Sequence, residues 1–476
     1  MKGKHDKSIF ETTNSSVVEH FRQKIKFFIQ NLIPSCYVTI YSRPLEEFED
    51  VFNYEVNSKI LICENKSRVS CSLTCPDEFV IYLESFSKQY IFLFRIKRNN
   101  IPYSRNEKKL LYILPHAIAN INVLKMSNNI TQSIMRDLSF GYFVLAYIMC
   151  IHKKKNKDLD SMINFLNVLQ TLTFQRYESK KCTSGFIYIN NLETFLREFD
   201  KKKYTYTPFD NLIKVDNYFF EKPASYRYVD GKNNFYIVTD GLECSQNKGL
   251  YVLGIFSINN PEAYNILDRC YGKHALEIVH NRSIHWVVYV GFNNDIFLFV
   301  KDQATIKWEK NIWHSRDKAL IENLFNTEDF NRIFARMLSK TIIALSELRM
   351  GSLILIKRKK DIAPEITGRI DDSIVGQELY DSITKKSNET LETLSKNNKI
   401  IGILSSDGLT VFDKEGVIKS CGDIINLNKK VKSSNVTGGG RTQAALIASH
   451  YGFTIKISED GPISFFKKGR KIIEFK

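Results

Sequence analysis

The sequence predicts an α+β amino-terminal region followed by a carboxyl-terminal α/β domain with a mixed central sheet flanked by helices. Three observations lead there. Short β-rich runs fill residues 37–97 and return at 211–309; a helical period occupies 108–199; and beyond residue 329 a helix leads into a nearly all-apolar strand, with a glycine-rich turn and another helix further on. With 476 residues, 43% of them hydrophobic, the chain has apolar surface for more than one core, which excludes a wholly disordered protein. Its 10 Pro and 22 Gly are too few for a collagenous or low-complexity chain. The formal charge of +16, from 68 Lys and Arg against 52 Asp and Glu, favours anionic partners such as nucleotides, nucleic acid or an acidic membrane surface.

Residues 1–8 are basic and polar and read as no export signal; the apolar run at 17–33 is broken by Glu19, Arg22, Lys24 and Lys26 and reads as an amphipathic helix. Runs at 37–41, 79–83 and 90–94 predict an antiparallel sheet packed on it. Helices are expected at 110–125, 136–151, 162–177 and 192–199, with Pro115 ending or kinking the first. The apolar stretch 140–151 is too short for the roughly 20 residues of a membrane crossing, so it is expected as a buried core helix with no membrane span. Residues 201–208 read as an exposed connection. Strands follow at 235–239, 250–256, 286–290 and 296–300, the last two joined by Gly-Phe-Asn-Asn-Asp at 291–295, a hairpin composition. The domains expected are an α+β region at 1–205, a β-rich sensor-like region at 206–325 and a carboxyl-terminal α/β domain at 326–476.

Nine scattered cysteines, an odd number without a repeated spacing, predict a reduced, cytoplasmic protein. Cys71 and Cys75 have no second Cys or His pair beside them, so no zinc site is expected. His274, His280 and His285 read as ordinary strand and loop residues, since no acidic or Cys ligand stands at a matching spacing, and Asp240-Gly241 reads as a turn.

In the carboxyl-terminal domain Ile333, Phe334, Met337, Leu338, Ile342, Leu345 and Leu348 fall on one helical face that Gly351 can close. Ser-Leu-Ile-Leu-Ile at 352–356 has the composition of a strand buried on both faces. A helix is expected at 377–386, then a strand at 400–404 running into Ser405, Ser406, Asp407, Gly408 and Leu409, and a strand at 410–412. The most informative segment is Thr-Gly-Gly-Gly-Arg-Thr-Gln-Ala-Ala at 437–445, ahead of a helical run. Gly438, Gly439 and Gly440 free the backbone to present N–H groups, and the helix behind them aims its positive end at the same place. Arg441 adds a planar fork suited to phosphate oxygens, and Thr442 a hydroxyl at the helix start. An anion is the natural occupant.

Together with the order of elements from residue 344 to 356, Asp407-Gly408 and the closing Ser458-Glu459-Asp460 turn and hairpin, these residues make the last third of the chain resemble the diadenylate cyclase (DAC) domain family. Two departures are visible: Gly439-Gly440 stands where the family carries Arg-His before its Arg, and Leu409 replaces a small Ala. The resemblance implies condensation of two ATP into cyclic di-AMP and two pyrophosphates, under control of the amino-terminal region. It implies catalytic roles for Asp407, Gly408, Arg441 and Thr442, and nucleotide binding by Leu409, Gly438 to Gly440, Arg441, Thr442 and Ser458. It implies Mg²⁺ or Mn²⁺ held by Asp407, Glu459 and Asp460, and a homo-oligomer with DAC domains face to face. The alternative is a catalytically degenerate DAC fold that senses an adenine nucleotide or cyclic dinucleotide; an interaction scaffold without nucleotide is the third. The basic runs, Lys429, Lys430 and Lys432 among them, come without a nucleic-acid-binding signature, so nucleic acid is not an expected partner.

Overall fold

The computed structural model describes residues 19, 22–44, 61–62, 68–75, 78–85, 90–98, 101–123, 137–150, 159–240, 249–259, 272–301, 303–328, 330–358, 365–369, 371, 373–386, 389–396, 399–405, 407–427 and 438–476. Ser406, Thr437, Gly241, Lys429, Lys430, Lys432 and residues 1–8, all singled out above, lie outside the described residues. Helices mix with antiparallel and mixed sheets, an α+β composition. The chain divides into two compact units, Met1–Asn259 with Glu277–Arg316, and Asn260–Leu276 with Asp317–Lys476.

In the first unit, strands Cys36–Pro44, Tyr90–Arg98, Glu78–Ser85, Arg68–Cys75 and Leu61–Ile62 lie side by side in that order, all antiparallel, as the alternating runs predict. Helix Arg105–Val123 starts on a capping box the sequence analysis did not single out: Ser104 Oγ accepts from Glu107 N at 3.0 Å, and Glu107 Oε2 accepts from Ser104 N at 2.9 Å. The same carboxylate takes both terminal nitrogens of Arg98, and both side chains are almost wholly buried. The helix runs through Pro115 instead of ending there; buried Leu110, Leu111, Leu114, Ala117 and Ile118 on both sides of the proline anchor the two halves in one core. Helix Asp137–Cys150 has every side chain from Gly141 onward buried. No described helix is long and apolar enough to cross a membrane.

The second sheet of this unit has eight strands, ordered Ile312–Arg316, Thr305–Glu309, Ile296–Val300, Ile284–Val290, Ser184–Ile189, Asn234–Asp240, Leu250–Ile258 and Tyr204–Lys214. The hairpin expected at 291–295 is present, with Asn294 at φ 63° and Gly291 N donating to Asp295 O. The boundary expected at 205/206 falls inside this sheet, because Ser184–Ile189 pairs in parallel with Asn234–Asp240. The exposed connection expected at 201–208 is corrected: from Tyr204 onward the chain is an edge strand, whose mostly exposed side chains explain the polar reading. Pro208 sits opposite Gly254 at an irregularity of the pairing, where an edge strand tolerates a missing donor.

The second unit holds a seven-stranded mixed sheet ordered Ile366–Arg369, Ile418–Ile425, Leu409–Phe412, Ser352–Lys357, Gly452–Ile457, Ile463–Lys467 and Arg470–Phe475. Its one parallel pair is Ser352–Lys357 with Leu409–Phe412. Pleat alternation gives each face its own helices. Leu353, Leu355, Leu409 and Val411 pack against helix Gly440–Ala448, whereas Phe412 and Phe453 meet the rings of Phe334 and Phe330 from helix Arg332–Glu347 and the turn before it.

Three expectations for this unit change. Residues 400–404 form a short helix, not a strand, since a five-residue apolar run carries too little period to tell the two apart. Helix Arg332–Glu347 is closed by Arg349 at φ 58°, not by Gly351. The helix expected at 377–386 begins earlier, as Ile374–Asp381, and continues through a π-turn at Ser382–Lys386.

Because Arg98 and Glu107 are both shut away from water, removing one strands the other's charge. Glu107→Ala is expected to cost about 3–5 kcal/mol and should show as a lower midpoint of urea unfolding followed by hydrogen exchange in helix Arg105–Val123. A change under about 1 kcal/mol would mean that the pair is not desolvated as described.

Candidate functional site

Three neighbouring strands at the centre of the second unit's sheet assemble the candidate site at one end of the strands. Leu353 pairs with Leu409, and Ser352 with Ile457. Gly351 therefore lies level with Asp407 on one side and Ser458 on the other, so residues more than 100 positions apart share one row. Helix Gly440–Ala448 runs back into strand Gly452–Ile457, which brings its amino-terminus to the same end of the strands.

Arg441 joins these parts. Its Nη2 donates to Asp407 Oδ1 at 2.5 Å and its Nη1 to Glu459 Oε1 at 3.2 Å. The guanidinium passes directly over Gly351, where a Cβ would stand 2.2 Å from Nη1 and 3.0 Å from Glu459 Cγ. The Arg441 side chain is 27% exposed and the carboxylates 71% and 72%, so the bridge is open to solvent on its acidic side.

The glycine loop behaves in parts. Gly439 is the N-cap and supplies no side-chain cap; its carbonyl accepts from Thr442 N at 2.9 Å and Gln443 N at 3.2 Å. The first-turn N–H groups of Gly440 and Arg441 have no acceptor within a helix by geometry alone, and Gly439 offers them no side-chain cap, an arrangement that suits an anion. A Cβ at Gly438 would press on Thr442 at 2.8 Å, but at Gly439 and Gly440 it would meet nothing within 4 Å. Gly408, at φ 106°, lies against Gly422, itself at φ 69°; a Cβ at Gly408 would come within 2.7 Å of the Gly422 backbone. This close approach fixes the backbone that carries Asp407.

Ser458, Glu459 and Asp460 occupy one tight turn, closed by Gly461 N donating to Ser458 O at 2.9 Å and Ser458 N donating to Pro462 O at 3.0 Å. Arg349 donates to the Asp460 carbonyl and Ser346 to that of Gly461, so the end of helix Arg332–Glu347 pins the turn. Of the three carboxylates expected at a metal, Asp407 and Glu459 meet at Arg441, and Asp460 lies in the same turn as Glu459. Leu409 is fully buried among Leu353, Val411 and Leu446, so its side chain belongs to the core and offers nothing to a ligand. Among the described residues no three His, Cys, Asp or Glu side chains converge as a metal site. Mg²⁺ ordinarily uses one or two carboxylates beside substrate phosphates, and Asp407 with Glu459 match that donor set.

Sequence reasoning missed two groups. Lys456 donates from Nζ to Thr442 Oγ1 at 2.9 Å, and burial pulls its ammonium below the usual lysine range. Alternation along Phe453-Thr-Ile-Lys-Ile could have placed it, since Phe453, Ile455 and Ile457 share one face and Lys456 the other. Asp423, cross-strand from Leu409, is buried with Arg369 Nε 3.6 Å away, and burial raises its carboxyl above the usual range. No periodicity reveals it.

No protein-family model matches the chain, and no curated protein does. Eight solved chains match, among them a crystal structure described as a hypothetical membrane spanning protein from Bacillus cereus. It is 18% identical over 33% of this chain and 71% of that one, with a TM-score of 0.22, a likeness that carries no argument.

The fit of Arg441 over Gly351 can be tested directly. Gly351→Ala is expected to displace the guanidinium from both carboxylates, seen as a shift of the Arg441 Nε–Hε resonance, while stability changes by less than about 1 kcal/mol, as for solvent-exposed pairs. An unmoved resonance would show that Arg441 does not lie over the glycine.

Proposed function

We propose that the second unit is a nucleotide-binding domain of the DAC type, which joins two ATP molecules into cyclic di-AMP and releases two pyrophosphates. The supporting observation is the convergence at one end of the central strands of a guanidinium, two carboxylates, a serine turn and a helix amino-terminus with a glycine N-cap. These are the groups that phosphoryl chemistry requires: fixed donors for phosphate oxygens and an acid beside them.

In this reading, backbone N–H groups at Gly440 and Arg441, the Thr442 hydroxyl and the Arg441 fork receive the phosphates, and Ser458 borders them. Asp407 holds the ribose 3′-hydroxyl and accepts its proton as the oxygen attacks the α-phosphate of the other ATP. A new P–O bond forms there, and the bond to pyrophosphate breaks. Asp407 and Glu459 would also hold a divalent metal, Mg²⁺ or Mn²⁺, which supplies charge neutralisation for the triphosphate. Each chain offers one such set of groups, so the two-ATP reaction requires two copies facing each other across a two-fold axis. A second reading, a nucleotide or cyclic-dinucleotide sensor without turnover, draws on the open space beside Gly439 and Gly440, where the DAC pattern carries Arg-His.

Purified full-length protein incubated with ATP and Mg²⁺ or Mn²⁺ is expected to yield cyclic di-AMP, identified by mass. ATP binding without product would favour the sensor, and no ATP binding would overturn both readings. Asp407→Asn is expected to abolish product while leaving the fold and much of the ATP affinity intact, because it changes charge with little change of volume.

Arg441→Ala removes a charge-assisted contact. Calorimetry should show ATP affinity lowered about ten- to a hundredfold; unchanged affinity would place the phosphates elsewhere.

A further inference from the structure

We infer that Lys456 is a second phosphate-binding cation of this site, acting from strand Gly452–Ile457 in place of basic side chains that the glycine loop does not supply. The inference rests on the nucleotide reading above and adds to it a residue outside the loop and the turn.

The geometry comes from strand register. Lys456 pairs with Leu353 on one side and Ser464 on the other, and Ser464 pairs with Glu474. Leu353 faces helix Gly440–Ala448, so Lys456 faces it too, and its Nζ reaches Thr442 Oγ1 at the start of that helix. A hydroxyl is a weak partner for an ammonium. Glu474, the carboxylate in the row, is engaged otherwise, accepting from Ser464 Oγ at 2.7 Å and Lys471 Nζ at 3.0 Å.

Partial burial weakens the hydration of Lys456 and pulls its ammonium below the usual lysine range; Glu474 and Asp460 attract it, and Arg441 and Lys471 repel it. Two cations, Arg441 and Lys456, are thus held at one helix end whose N-cap, Gly439, supplies no side-chain cap. Among the described residues, an added Cβ at Gly439 or Gly440 would meet nothing within 4 Å. A phosphate chain lying across this end would be reached by Lys456 from the strand side and by Arg441 from the turn side.

The test uses full-length protein, Lys456→Met and Lys456→Arg, each titrated with ATP, inorganic triphosphate and adenosine. Lys456→Met is expected to lose about ten- to a hundredfold in affinity for ATP and triphosphate. Its affinity for adenosine should be unchanged, and Lys456→Arg should restore most of the lost binding. If wild type binds ATP and Lys456→Met binds it equally well, Lys456 has no such role and the nucleotide reading stands. Equal loss of adenosine would mark Lys456 as structural and overturn the inference. If wild type binds neither ATP nor triphosphate, the nucleotide reading falls and this inference with it.

Discussion

The close passage of Arg441 over Gly351 is the constraint on which the candidate site depends. It requires an absent Cβ at the entry to the central strand, and it requires the neighbouring strands to present Asp407 and the Ser458 turn at that same level. Neither carboxylate is placed by its own local sequence alone. Asp407 is set by the Gly408–Gly422 approach, and Glu459 by a turn that Arg349 and Ser346 hold from a different helix. The ion pairs themselves are mostly solvent-exposed and contribute about 0–1 kcal/mol each. The sheet therefore fixes the geometry, and the pairs can be exchanged at small cost.

That arrangement contrasts with Arg98 and Glu107 in the first unit. There both charges are withdrawn from water, the carboxylate also caps a helix, and no ligand could compete for it without breaking the element. Buried pairs of this kind are kept because the separated charges cost more than the pair, and they serve to fix a helix on a sheet. Exposure separates the structural pair from the exchangeable one. Either would look the same in sequence, as an arginine and an acid at a distance.

Elements with strong periods were legible: the antiparallel strands at 79–83 and 90–94, the core helix that became Asp137–Cys150, and the strand at 352–356 all follow from alternation or unbroken apolarity. The short run at 400–404 was not, because five apolar residues satisfy either period. Strand Tyr204–Lys214 was hidden by its position, since an edge strand keeps polar side chains and resembles a connection. Within the site, Arg441 and Thr442 could be read from the glycine loop, and Asp407 from its glycine. Lys456 and Gly351 could not be assigned roles, because those depend on cross-strand register, which sequence periodicity does not specify.

The charges at the site also qualify what the overall excess of +16 means. A surplus spread over a whole surface raises the encounter rate with anions but does not choose a binding place. At the site itself Arg441 bridges Asp407 and Glu459, while Asp460 and Glu474 attract Lys456, so the acids at least offset the two cations. A polyphosphate arriving alone would gain two cations and meet the acids as like charges. Arriving with a divalent cation, it would leave every group paired, the basic side chains with phosphate oxygens and the acids with the metal. On the nucleotide reading, these acids therefore favour the metal-bound form of the substrate over the free polyphosphate, and the exposed, exchangeable pairs at Arg441 let it bind without unfolding any element.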